Sequence, residues 1–104
     1  MTKVTVTAGI CGFTVLITAE KHKDRKIYVT LDTECKMIRR MSSDISPIEI
    51  RSALAGQKNN PVYMSAAKHI KHIACPVISG ILKAIEVEAG LALPKDAHIV
   101  FPKD

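Results

Sequence analysis

Along the first third of the chain, apolar and polar residues alternate with a period of two. Val4, Val6 and Ala8 stand on one face, with Thr5 and Thr7 on the other. After Gly9-Ile10-Cys11-Gly12 the alternation resumes, Phe13, Val15 and Ile17 opposing Thr14 and Thr18. A charged run from Lys21 to Lys26 interrupts it, and Ile27, Val29 and Leu31 then alternate with Tyr28 and Thr30. Side chains on a pleated strand point alternately to its two faces, so this period marks strands with one buried face. The runs predict strands over residues 3–8, 13–19 and 27–32, and the short links between them predict an antiparallel meander.

From Cys35 onward the period lengthens. Met37, Ile38 and Met41 recur at helical spacing among Lys36, Arg39 and Arg40. Ser46-Pro47-Ile48-Glu49 has the form of a capping box with proline in the first turn, and Ile45 and Ile50 stand where a hydrophobic staple would put them. A helix from there to about Gly56 is expected. Asn60-Pro61 opens another, running to Ile70 or His72. After Cys75-Pro76, the residues Ile78, Ile81, Leu82, Ile85 and Ala89 make an apolar stripe, Gly90 suits a left-handed C-terminal cap, and Pro94 forbids continuation. His98 to Phe101 predicts a short closing strand paired with the meander. The expected fold is α+β in one domain of residues 1–104. Its antiparallel sheet would consist of the three-strand meander plus the C-terminal strand, with three to four helices on one face.

Composition narrows the function. Apolar residues are 47% and charged residues 24% of 104, which suits a chain that folds on an ordinary core without disulfides or metal. The longest apolar stretch, Val77 to Ala89, is broken by Lys83, Glu86 and Glu88, short of the roughly 20 residues of a membrane span. Met1-Thr2-Lys3 runs straight into strand alternation with no apolar leader, so the expectation is a cytoplasmic protein with no membrane partner. Thiols stay reduced there, and an odd number of cysteines, three, excludes a complete disulfide framework. The net charge of +5 serves solubility. Nucleic acid is a disfavoured partner, because none of the four aromatics interleaves with Lys21 to Lys26, Arg39, Arg40, Lys68 and Lys71 to stack bases. Walker A, dinucleotide-binding and nucleophile-elbow patterns are absent from the sequence, and no catalytic residue or reaction emerges. The threonine-rich outer sheet face carries Leu16 and Tyr28, which could support a homodimer.

The cysteines hold the candidate chemistry. Cys11 lies in the glycine-flanked loop between the first two strands, Cys35 follows the third strand and begins a helix, and Cys75 begins the long helix. A helix N-terminus favours an anion and lowers a thiol's pKa, and the thiolate is the form that binds metals or attacks electrophiles. Pairing of the second and third strands would bring Cys11 near Cys35. His72 precedes Cys75 by three residues and completes a Cys₃His set, a ligand set of structural zinc; three thiolates could equally hold an iron–sulfur cluster. Two alternatives stay open: redox-reactive thiols without metal, and inert structural cysteines. His69, beside Lys68 and Lys71, reads as a surface histidine.

The triplet Cys11-Gly12-Phe13, the lone Cys35, the run His72-Ile73-Ala74-Cys75-Pro76-Val77, the pairs Gly80-Ile81 and Lys83-Ala84, and the segment Glu86 to Asp96 together resemble a small, functionally uncharacterised family of archaeal and bacterial proteins. The similarity spans nearly the whole chain. It implies that Cys11, Cys35, His72 and Cys75 occupy motif positions, and it brings no activity. Where that family often has proline after its middle cysteine, this chain has Lys36, which weakens an iron–sulfur role for Cys35.

Overall fold

The computed structural model describes residues 1–103. Strands β1 (Thr2–Thr7), β2 (Thr14–Lys21) and β3 (Lys26–Asp32) form the meander. Single turns of helix follow, α1 (Lys36–Arg39) and α2 (Ser42–Ile45), then the two-residue strand β4 (Ile48–Glu49), the single turn α3 (Ile50–Ala53) and a 3₁₀ turn over Gln57–Asn59. Helices α4 (Pro61–His69) and α5 (Val77–Glu88) complete the layer that covers the sheet. The sheet is antiparallel throughout, in the order β1-β2-β3-β4.

Alternation places the core as expected. Val15, Ile17, Ala19 and Ile27 are fully buried, and Val29 and Leu31 nearly so. The helical layer supplies Ile38, Met41, Ile45, Val62, Val77, Ile81 and Ile85. Helix α5 is turned slightly from the expected stripe: Val77, Gly80, Ile81, Ala84 and Ile85 face the sheet, while Ile78 and Leu82 are half-buried. Gly80 is what lets the helix approach. A Cβ there would collide with Val6 Cγ2 and lie 3.2 Å from Ile17 Cδ1.

The helix ends follow their sequence signals. The Asn60 side chain accepts the Val62 N–H at 2.9 Å and caps α4. Gly90, at φ +78°, ends α5 in a Schellman motif, with Leu91 N–H on Glu86 O at 2.9 Å and Gly90 N–H on Val87 O at 3.0 Å.

Two expectations fail. The capping box at Ser46 does not start a helix. Ser46 Oγ instead accepts the Val29 N–H at 2.9 Å, Ile48 pairs with Ile27 and Glu49 with Lys26, and helix begins only at Ile50. Open ladder groups on β3 compete for this segment and win, because a buried Ile48 beside Ile27 gains both apolar contact and backbone bonds. The second failure is the closing strand. The fourth strand of the sheet is β4, not His98–Phe101, and residues 94–103 carry neither helix nor strand.

Candidate functional site

The β1–β2 connection is a tight turn. Ala8 N–H bonds Phe13 O at 3.0 Å and Gly12 N–H bonds Gly9 O at 2.9 Å. Gly9 and Gly12 have φ of +90° and +74°, conformations that cost a side chain dearly, which explains the glycine on either side of Ile10-Cys11. Nothing packs within 4 Å of where a Cβ would stand at either glycine, so backbone conformation and not crowding selects glycine there. Cys11 is exposed at its tip.

Cys35 is buried at the start of α1, with its N–H on Thr33 Oγ1 at 3.2 Å; Arg39 Nε reaches back to Thr33 O and straps the same corner. Cys75 is half-buried in the link from α4 to α5, two residues before Val77. Its N–H bonds His72 O at 3.3 Å, so the His72-x-x-Cys75 spacing spans a reverse turn and not a helix end.

All four residues line one small cavity of about 40 Å³. The rest of its wall is apolar, including Phe13, Val15, Met37, Ile38, Ile70 and Val77. Three separate stretches of chain thus bring Cys11, Cys35, His72 and Cys75 to the wall of one pocket. Among the described residues, no three His, Cys, Asp or Glu side chains stand close enough to enclose an ion, and no disulfide joins the cysteines. Two isoleucines beside the site, Ile10 and Ile73, project fully into solvent at the tips of the two turns.

The electrostatics correct one expectation. A helix N-terminus should lower the Cys75 pKa, yet burial pushes this thiol up, and the neighbouring Cys11 and Cys35 push it the same way. The Val77 N–H beside the sulfur favours the thiolate but is outweighed. In a dry pocket shared with other thiols, a negative sulfur lacks the solvent and the counter-charge that would stabilise it.

His69 is not the surface histidine expected. Its Nε2 lies 3.0 Å from Asp44 Oδ2, which also accepts the Ser65 hydroxyl at 2.8 Å. Ser65 holds Asp44 below the usual carboxylate range, with His69 adding to the effect. The cluster ties α2 to α4. With both partners on the same carboxylate oxygen, it lacks the serine-to-histidine bond of a nucleophilic triad. The residues lie 21 and 25 positions apart, and no local pattern announces them.

No helix among the described residues is long and apolar enough to cross a membrane. A family model described as "Family of unknown function (DUF6951)" matches residues 2–101. No curated protein and no solved structure matches the chain.

Proposed function

We propose, for a chain that belongs to this family of unknown function, that the pocket of Cys11, Cys35, Cys75 and His72 is a binding centre for a thiophilic metal. One observation carries the reading: these four residues, from three separate stretches of chain, line a single cavity. Three sulfurs and an imidazole form a ligand set of structural zinc. The cavity, at about 40 Å³, has room for an ion or a few waters and falls far below the roughly 300 Å³ at which small-molecule sites begin. This size favours a single ion such as zinc; an iron–sulfur cluster would require the walls to part further.

Binding requires the Gly9–Gly12 turn to close, because zinc–sulfur bonds of about 2.3 Å demand sulfurs closer together than the described residues hold them. Cys11, exposed at the tip of that turn, is the ligand with the most space to move toward Cys35, which sits in the core.

Metal analysis of protein purified without oxygen tests the proposal. The expected result is about one equivalent of zinc per chain in a colourless protein, or about two to four equivalents of iron with sulfide in a brown one if a cluster is bound. Cys75→Ser should remove the metal while the far-ultraviolet circular dichroism stays unchanged. Protein that comes out metal-free and takes up neither zinc nor iron on anaerobic titration would overturn the reading.

A further inference from the structure

The sheet has an open edge along the whole of β1, and the tail of the chain has strand character that no partner uses. Only β2 pairs with β1. The Ala8 N–H to Phe13 O bond sets the phase of that ladder. Thr2, Val4 and Val6 exchange bonds with β2, and Lys3, Thr5 and Thr7 direct their N–H and C=O groups away from it. Val4 and Val6 lie on the core side of the sheet yet are only half-buried. Beyond this edge lies a groove of about 750 Å³, bounded by Thr2 to Thr7, by Gly80, Lys83 and Val87 of α5, and on its far side by residues 92–100.

That groove has the dimensions of a strand. With 3.3 Å per residue, 4.8 Å between strands and about 10 Å of side-chain depth, each strand residue occupies roughly 160 Å³, so about five residues fill it. The tail offers the matching segment. Ile99, Val100 and Phe101 are 85%, 73% and 93% exposed, Leu93 is 76% exposed, and no residue from Asp96 to Lys103 makes a backbone hydrogen bond to the sheet. Three successive apolar residues give a strand two apolar faces. On the β1 edge such a strand would bury one of these faces against α5.

We propose that the tail strand around Ile99-Val100-Phe101 adds to the β1 edge of a second copy of this chain, and that the second copy reciprocates. Reciprocal exchange satisfies both loose features at once and closes as a two-fold dimer. The area supports reciprocity. Burying Leu93, Ile99, Val100 and Phe101 removes roughly 100 Å² each, more for the aromatic, and covers a similar area of groove, so one insertion buries about 800 Å². Two insertions bury about 1,600 Å², within the range of specific, stable interfaces, whereas one falls short of it.

Sedimentation equilibrium of the intact chain at micromolar concentration should give twice the 11.4 kDa protomer mass. Ile99→Asp with Phe101→Asp removes the donor, and Thr5→Pro blocks the edge at an outward-facing N–H while sparing the β1–β2 ladder. Each variant alone should run at the protomer mass with unchanged circular dichroism. Mixed together, they can make only one of the two insertions, so they should associate far more weakly than the intact chain and stay at the protomer mass at micromolar concentration. A monomeric intact chain would overturn the proposal, whether its tail amides are protected from hydrogen exchange, meaning closure onto its own edge, or not. A dimer that survives the tail substitutions would overturn it too, by placing the interface elsewhere, as on the Leu16–Tyr28 face. None of these outcomes depends on metal content.

Discussion

Asn60 does more than cap a helix. Its carboxamide oxygen accepts the Val62 N–H, and its Nδ2 donates to Ala53 O at 2.8 Å and Ala55 O at 3.0 Å, all with the residue 2% exposed. One side chain therefore satisfies the start of α4 and the frayed end of α3. Asn60→Ala should cost about 2–4 kcal/mol in urea denaturation, the sum of a lost cap and carbonyls left without partners. Asn60→Asp keeps the acceptor but sets a carboxylate oxygen against both carbonyls in a site 2% exposed, and should cost at least as much as alanine. At Cys75 the balance differs: burial and two neighbouring thiols hold the sulfur protonated, so it should react with a neutral-pH alkylating agent more slowly than exposed Cys11. Bound metal should slow both, and mass spectrometry of the modified thiols would measure it.

Between elements, the closest fit is α5 on the sheet. Alanine in place of Gly80 would gain about 1 kcal/mol of helix propensity. The new methyl would strike Val6, whose branched side chain has little freedom to turn away, and overpacking of this kind costs roughly 1–3 kcal/mol. Steric cost wins. Gly80→Ala should lower the melting temperature by about 5 °C, and adding Val6→Ala should restore much of the loss, a coupling that a double-mutant cycle reads directly.

For the whole molecule, three carboxylates add polar ties between elements that core packing and strand pairing already bring together. Glu88 accepts the Lys21 N–H at 2.9 Å and the Thr2 hydroxyl at 2.8 Å, fastening the end of α5 to β1 and β2. Asp44 joins α2 to α4, and Asp24 accepts the Tyr28 hydroxyl at 2.7 Å across the β2–β3 hairpin, where His22 stacks on the same ring at 3.9 Å. Each is held below its ordinary pKa: Glu88 chiefly by the Lys21 N–H, Asp44 by Ser65, and Asp24 by Tyr28. A depressed folded pKa means that the stabilisation is complete above the unfolded values, about 3.9 for Asp and 4.3 for Glu, and is lost as pH falls through the folded ones. Thermal unfolding should therefore show a loss of stability below about pH 5, and Glu88→Gln should flatten part of that slope while lowering stability at neutral pH.

What the sequence determined by itself is what local chemistry and periodicity can carry. Burial follows the alternation of β1 to β3 because side chains on a strand have only two faces to choose between. Asn60-Pro61 and Gly90 mark helix ends because their signals act within four residues. The four residues of the candidate centre could be named one by one, since thiols and imidazoles are distinctive, and turn or helix-end positions mark each. Tertiary structure decided the rest. Ser46 carries a good helix-start signal, but β3 lies beside it and takes its hydroxyl and Ile48 for the sheet. His98–Phe101 has strand character, but a strand exists only with a partner, and within this chain it has none. Asp44, Ser65 and His69 meet only because α2 packs on α4. Cys75 sits at a helix start that should favour its thiolate, and the dry pocket shared with Cys11 and Cys35 reverses the sign. In each case a contact between distant segments outweighs a local preference, because removing a group from water or filling its hydrogen bonds is worth more than the fraction of a kcal/mol that separates local conformations.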